Sequence, residues 1–509
     1  MTNHPGRTGI IDIGSNSIRL VIYDTTPEGG YKIIKECKYS ARLSEKIKPD
    51  GRLEVTDLSV VVPVLLQFQD VCAAFGAERI RAGATAAIRN ARNSEEIIAY
   101  LSEAASLKVE IVSGRDEAYF GFLGVINAFD INDGFVVDIG GGSTEITLFR
   151  DRNYKHSISF PFGAVNTNVM FGQDGNWDAE RVRKLQTYVL GRLVECPWLN
   201  GEPGLPLIGL GGTIRSLGKL DQKRRSYTLQ ISHGYTMPAE TIDEFMQTLP
   251  ALSYDKRKEL EGLSKSRADI IVSGLIIFHT VFHYVGASRA MISGEGLREG
   301  MLHDLLRPQH PVRPSALDYS ISTQLRFHGV SSKEHLIRVY RLAEELYGEL
   351  AGKAGTKEHK MLLYAAIMLQ HIGSSVNYFQ SKRHTRYWLM NAPIRGLTHR
   401  QLVLAAQIAS YSTKSRKQKL SAAHKDILLA SDEEWIHKLG TLVQLCASFD
   451  GSETGIVRGL RAKLHGHTLD VVLESSQPVL IGLEEIDNAA KAFKSAWGLK
   501  VKLLVPSTT

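Results

Sequence analysis

The chain has 509 residues, more than one hydrophobic core ordinarily organises, so two to four domains are expected. Its 43% hydrophobic and 23% charged composition excludes a disordered or fibrous chain, and 61 Lys and Arg against 54 Asp and Glu lean mildly towards polyanionic partners. Four distant cysteines without a C-x-x-C pair exclude a disulfide framework and fit a reducing, cytoplasmic setting, and the lack of any run of about 18 apolar residues argues against a membrane span.

The first apolar run, Ile10 to Tyr23, is interrupted by Asp12 and Arg19, so it reads as a strand turning at glycine rather than as a signal segment. This stretch, GIIDIGSNSIRLVIY, is echoed by GFVVDIGGGSTEITLF at Gly134 to Phe149, with Asp12 on Asp138, Gly14 on Gly140 and Ser17 on Ser143. A second pair keeps nearly the same offset: RAGATAAIR at Arg81 to Arg89 matches GLGGTIRSL at Gly209 to Leu217, Thr85 falling on Thr213. Each pair is followed by amphipathic helical stretches and a further strand ending in glycine, VEIVSGRDEA at Val109 to Ala118 and AMISGEGLREG at Ala290 to Gly300. Two homologous α/β halves are therefore expected, over 1–130 and 131–308, each a mixed sheet covered by helices, with their hairpins facing across a cleft.

From Pro308 the texture changes. His310 to Ser315 reads as a linker, and the three-and-four spacing of apolar residues in Leu336 to Leu350 predicts an amphipathic helix within an all-helical domain over 315–440. Alternating segments at Thr468 to Leu473, Pro478 to Leu483 and Leu499 to Val505, around a helical Ile486 to Trp497, predict a small α+β domain over 441–509.

Convergent backbone N–H groups free of side chains hold crowded phosphate oxygens well, and the turns Gly14, Ser15, Asn16, Ser17 and Gly140, Gly141, Gly142, Ser143, Thr144 supply them from two sides. Asp12 and Asp138 stand where strand meets turn, hard oxygen ligands suited to Mg²⁺. Arg89 has the bidentate geometry to reach a phosphate, whereas Arg19 and Arg298 are weaker candidates. Two basic clusters, Lys382 with Arg383, His384 and Arg386, and Lys414 with Arg416, Lys417 and Lys419, would suit the distal part of a long polyanion. The adjacent pair His303 and Asp304 reads as surface.

The motifs DIGSNSIRL, TAAIRNARN, SGRDEA, DIGGGSTE, GLGGT, HGY and GEGLREG, in that order, resemble the exopolyphosphatase and guanosine pentaphosphate phosphohydrolase family of the actin, sugar-kinase and chaperone ATPase superfamily, the long exopolyphosphatases above all. The resemblance implies two duplicated actin-like (ribonuclease H-like) α/β domains, then a helical domain similar to a degenerate histidine–aspartate phosphohydrolase domain. It also implies that Glu117 is the general base for an attacking water and that Glu145 positions water or metal. Gly211, Gly212 and Thr213 match the superfamily's nucleotide-side turn. Gln370 and His371 replace the metal-binding pair of the helical domain, so no hydrolase site of its own is expected there. A homodimer is implied, and no nucleic-acid partner is expected. The activity implied is Mg²⁺-dependent release of orthophosphate from the end of inorganic polyphosphate. The alternatives are hydrolysis of guanosine pentaphosphate to the tetraphosphate, phosphate transfer to ADP or a small acceptor, and a non-catalytic polyphosphate or nucleotide sensor.

Overall fold

Ile10, Ile11 and Ile13 are fully buried, and the strand they build, β1 (Arg7–Ile13), lies at the centre of the first of three sheets. The structure, a computed structural model, describes residues 6–172, 175–352, 355–412, 423–478 and 482–504. Its contacts divide the chain into two units, Met1–Ala316 and Leu317–Thr509.

In the first unit, β1 pairs antiparallel with β2 (Ile18–Thr25), which pairs with β3 (Tyr31–Tyr39); β4 (Ala77–Ala84) and β5 (Val109–Ile111) add in parallel on the other side. The order is β3-β2-β1-β4-β5. The second sheet contains β6 (Gly134–Ile139), β7 (Thr144–Arg150), β8 (Asn153–Phe160), β9 (Leu207–Leu210), β10 (Thr236–Met237) and β11 (Ala290–Ile292), in the order β10-β11-β9-β6-β7-β8. Reading β6 for β1, β7 for β2, β8 for β3, β9 for β4 and β11 for β5 reproduces the first order, with β10 added at the edge. The repeat seen in the sequence is thus a repeat of topology. Each sheet carries its own apolar core, one around Ile11, Leu20 and Leu65, the other around Val137, Leu207 and Phe278. The apolar segment Val55–Ala74, long enough by length and composition to cross a membrane, buries Val61, Val64, Leu65, Phe68 and Cys72 in the first of these cores.

Two helices cross between the halves. Past its charged first turn the helix Gly114–Ile126 is apolar on all sides, burying every residue from Phe120 to Ile126, because that part is enclosed rather than half-solvated. It follows β5 in sequence but lies against the second sheet, where the Thr147 hydroxyl of β7 donates to the Ala118 carbonyl (3.4 Å). The helix Leu297–Leu306 follows β11 but is tied to the first sheet: Arg81 of β4 donates to the Met301 carbonyl (3.3 Å) and to Asp304 (2.8 Å). The two helices touch backbone to backbone. A Cβ on Gly300 would collide with the Phe120 carbonyl, and one on Gly124 with the Gly296 carbonyl. This crossing corrects the surface reading of His303, which is 1% exposed with its ring centroid 5.6 Å from that of Tyr31.

In the second unit, helices Ala316–His328, Lys333–Ala351, Lys357–Leu369, Ser381–Asn391, His399–Ala409 and Asp432–Phe449 pack around buried leucines and alanines. The helix Lys333–Ala351 buries Leu336, Val339, Leu342, Ala343 and Leu346, the face its spacing predicts. A three-stranded sheet follows, β12 (Val457–His465), β13 (Thr468–Ser475) and β14 (Lys500–Leu504), with the helix Leu483–Trp497 between the last two strands in sequence. Sequence reading missed β12, an edge strand whose Arg458, Arg461 and Lys463 hide its alternation. Of the strand expected at Pro478 to Leu483, residues 479–481 lie outside the described residues, and Leu483 begins the helix.

Because Gly300 has no room for a methyl group, Gly300→Ala should cost about 1–3 kcal/mol. The measurable outcome is a lower thermal midpoint, accompanied by lost activity because the crossing helices carry Glu117 and Arg298. An unchanged midpoint would show that the crossing tolerates separation.

Candidate active site

Each hairpin reverses in four residues. Gly14 N–H donates to the Ser17 carbonyl (3.1 Å), and Gly140 N–H to the Ser143 carbonyl (3.0 Å). The turns' carbonyls are held from behind. Ser15 O accepts from Ser44 N–H (3.2 Å) and Asn16 O from Arg42 N–H (3.0 Å), while Gly140 O and Gly141 O accept from Ala164 and Val165 at the start of the helix Ala164–Phe171 (2.9 Å each). The amides of Ser15, Asn16, Gly141 and Gly142 donate to no described residue. With the oxygens tied down and the N–H groups unspent, both turns are built to receive an anion. They nearly touch, since a Cβ on Gly141 would lie 3.2 Å from the Ser15 Cβ.

Between the halves lies a cavity of about 160 Å³, lined by Asp12, Gly14, Ser15, Asn16, Ser17, Glu117, Asp138, Gly140, Gly141, Ser143, Gly211, Gly212 and Thr213. Gly211 opens the helix Gly211–Arg224 in a left-handed conformation (φ 84), where a Cβ would approach Asp138 Oδ1 to 3.0 Å. Gly212 has the Arg267 guanidinium where a side chain would be. The N-termini of this helix and of Leu297–Leu306 both border the cavity, adding the positive ends of two helix dipoles.

Four arginines line the same space: Arg19, Arg215, Arg267 and Arg298. Arg19 and Arg298 share Glu36 (2.9 and 3.3 Å). Arg215 Nε donates to the Gly211 carbonyl (3.1 Å), and among the described residues neither it nor Arg267 pairs with a carboxylate. Burial, then repulsion from Arg298 and Arg19, lowers the Arg215 pKa; burial, Arg215 and Arg19 lower that of Arg267 to about 10. Burial also opposes the charge of Arg298, but Glu299, Tyr23, Asp12 and Glu36 together hold its pKa above the ordinary value. Sequence reading missed Arg215 and Arg267. The first follows Thr213 within the repeated segment, a signal that was present; the second comes from a loop carrying no motif.

The acids are crowded as well. Burial raises the Asp138 carboxyl to about 6 against the pull of Arg215, with Asp12 adding to the rise. Burial raises Glu117 to about 7, opposed by Arg89 and reinforced by Asp138 and Asp12. Glu145 is pushed well above the usual carboxylate range by burial, Glu117 and Asp138. Glu117 sits in the first turn of the helix Gly114–Ile126 and borders the cavity. Glu145, 3% exposed, lies behind it and accepts from the Ser159 hydroxyl (2.7 Å) rather than lining the cavity. Arg89 also stands behind: its guanidinium holds Glu117 (2.6 Å) and the Val112 carbonyl (2.9 Å) and comes within 3.8 Å of Glu145. The Thr144 hydroxyl donates to the Phe162 carbonyl (2.7 Å), and neither Thr144 nor Gly142 lines the cavity. In the second unit, Lys382 Nζ donates to the Tyr411 carbonyl (2.7 Å) and Arg383 is exposed. Lys414, Arg416 and Lys417 lie outside the described residues.

Duplicated sheets, opposed amide-lined turns and a cavity combining acids with arginines define an enzyme that handles a densely charged oxyanion such as phosphate. The comparisons agree: the chain belongs to the Ppx/GppA phosphatase family, whose model matches residues 21–309, and the model for domain III of that family matches residues 320–481. Among curated relatives, a guanosine-5'-triphosphate,3'-diphosphate pyrophosphatase of Aeromonas hydrophila is 26% identical over 405 residues, covering 78% of this chain and 79% of its own. Exopolyphosphatase 1 of Mycobacterium tuberculosis is 26% identical over 301 residues, covering 58% and 87%. The solved Ppx/GppA family member of Aquifex aeolicus aligns with a TM-score of 0.53 at 29% identity, over 60% of this chain and 99% of that one. An exopolyphosphatase structure from Cytophaga hutchinsonii, with a TM-score of 0.55 at 21% identity over 60% of this chain and all of its own (100%), shares the fold.

Burial and neighbouring arginines oppose the charges of Arg215 and Arg267 in the free protein, so Arg215→Gln and Arg267→Gln should leave the thermal midpoint unchanged or higher. A charge-assisted hydrogen bond contributes about 1.5–3 kcal/mol, so KM for a phosphate-chain substrate should rise roughly 10- to 150-fold. A lowered midpoint with unchanged KM would make both arginines structural.

Proposed function

We propose that the chain is an exopolyphosphatase that hydrolyses the terminal phosphoanhydride of inorganic polyphosphate with release of orthophosphate. The observation that carries this reading is the pairing, in one cavity, of unspent turn amides and unpaired arginines with a buried carboxylate, Glu117, whose pKa lies near neutrality. The terminal phosphate would lie between the turns Gly14–Ser17 and Gly140–Ser143, its oxygens taking the free amides. Arg215, Arg267 and Arg298 would hold the charge of the phosphates behind it. Glu117 would remove a proton from the attacking water, and Arg89 keeps that carboxylate in place from the side away from the cavity. The duplicated strand order supports an actin-like reading of the two halves.

The chemistry of Asp12 and Asp138 fits Mg²⁺. Both carboxylates border the cavity, burial raises both pKa values, with Glu299 adding to the rise of Asp12 and Asp12 to that of Asp138, and no hydrogen bond from a described residue relieves either charge. Together with Glu145, these carboxylates do not make a compact cage; clusters of that kind among the described residues lie elsewhere. Two separated carboxylates suit an ion that keeps most of its waters and bridges to substrate oxygens. When bound, Mg²⁺ would neutralise charge developing on the phosphate oxygens. The Aeromonas relative, matched over 78% of the chain, favours guanosine pentaphosphate as the second substrate reading.

Phosphate release from defined-length polyphosphate and from guanosine pentaphosphate, with and without Mg²⁺, is the deciding experiment; preference for the nucleotide would replace the main reading by the second. Glu117→Gln should slow turnover by roughly 10²- to 10⁴-fold with folding and binding nearly intact. Glu117 works as a base only when ionised, and its pKa is raised from 4.5 to about 7. kcat/KM should therefore climb about tenfold per pH unit below that midpoint and level off above it, a limb absent from Glu117→Gln. Asp138→Asn should demand more Mg²⁺ for half-maximal activity, and an unaltered titration would place the ion elsewhere.

A further inference from the structure

In the second unit His371, one of the two residues that stand in place of the metal-binding pair the resemblance implies, meets two further ligand residues that no motif marks. His335 stands in the first turn of the helix Lys333–Ala351, where the capping Ser332 hydroxyl accepts its N–H (3.1 Å), and is only 2% exposed. Its Nδ1 meets Asp450 Oδ2 (2.8 Å), and Arg338 Nε donates to the same oxygen (3.0 Å). A carboxylate oxygen accepts, so Nδ1 carries a proton, which in the neutral imidazole leaves the Nε2 lone pair for an ion, the arrangement that orients a metal-binding histidine. Asp450 is 1% exposed, and its other oxygen has no partner among the described residues.

His335 Nε2 faces Glu453 Oε1 at 3.9 Å, and the His371 ring centroid lies 5.8 Å from that of His335. One ligand atom from each of His335, His371 and Glu453 lies within 4.8 Å of the other two. Glu453 is fixed in the left-handed region (φ 56), its N–H donating to the Asp450 carbonyl (2.9 Å) and its carbonyl accepting from Arg338 (3.2 Å). These ligands come from three separate elements rather than from an adjacent pair in the chain.

We propose that His335, His371 and Glu453 bind one borderline divalent transition-metal ion of the zinc class, with Asp450 orienting His335 from behind. Two imidazoles and one carboxylate suit such an ion, whereas Mg²⁺ takes oxygen ligands. Bonds of about 2.0–2.1 Å set the ligands of a tetrahedral ion about 3.4 Å apart, so shifts of less than about 1 Å per ligand atom close the site. Three protein ligands leave a fourth position for water or an anion. The other group of this kind, Asp243 with His279 and His283, spends both imidazole Nε2 atoms on one oxygen, Asp243 Oδ1 (3.0 and 2.7 Å), and is already satisfied by hydrogen bonds.

The test uses the full chain stripped by a chelator and titrated with Co²⁺ in excess Mg²⁺, which occupies oxygen-only sites. One equivalent should give the intense visible absorption of a four- or five-coordinate ion and be displaced by Zn²⁺. His371→Ala and Glu453→Gln should each weaken binding by about tenfold or more, with circular dichroism unchanged. Glu453 is partly exposed, so its variant keeps the test open should the histidine variant misfold. Asp243→Asn should leave the titration as it was. The proposal falls if no stoichiometric Co²⁺ binds, if binding survives Glu453→Gln undiminished, or if Asp243→Asn alone abolishes it.

Discussion

Charge crowding around one cavity is the constraint on which the first unit depends. Asp12, Asp138 and Glu117 on one side of the account, and Arg19, Arg215, Arg267 and Arg298 on the other, all lose water without forming pairs between the two sets. Desolvation dominates the shifts of all but Arg298, whose acidic neighbours hold its pKa up, and like-charge neighbours add to most. Such an arrangement opposes folding unless something else holds the backbone, and it favours any ligand that brings anionic oxygens and a cation together. Unsatisfied turn amides add to the same imbalance. A site poised in this way gains on binding what it withheld in the free state.

What holds the backbone is the crossing of the two helices. Gly114–Ile126 leaves the first sheet to pack on the second, and Leu297–Leu306 returns from the second to the first, so each half carries a helix that starts from the other. Glycines at the crossing bring main chains together, and the Tyr23 hydroxyl donating to Glu299 (2.7 Å) fastens the returning helix to β2. Both helices place charge at the cavity from their first turns, Glu117 from one and Arg298 from the other. The geometry of the cavity and the interlocking of the halves are therefore one structural feature.

The two units also differ in the chemistry they offer a cation. Oxygen donors separated across a cavity characterise the first, suited to a hydrated hard ion acting through its ligand's oxygens. Nitrogen donors with a buried carboxylate behind them characterise the second, suited to a softer ion held by the protein itself.

Much of this was legible in the sequence because it depends on local order. Strand, Asp and glycine turn recur as a unit, and a hairpin's register follows from its turn, so the repeat declared both sheets, the opposed turns and the positions of Asp12 and Asp138, while Glu117 was marked by the resemblance of its motif. Amphipathic spacing declared the helix at Lys333–Ala351 for the same reason. Tertiary structure alone decided which side chains share a space. Arg267 comes from a motif-free loop and reaches the cavity because Gly212 leaves it room, and His303 is buried because two helices cross there. Arg89 and Glu145 carry motif positions yet stand behind Glu117 rather than in the cavity. His335, His371 and Glu453 are separated along the chain, and only the packing of helices brings their nitrogens and oxygen within one ion's reach. Periodicity constrains neighbours a few residues apart; convergence of charges from distant segments is a property of the packed core, and no local pattern encodes it.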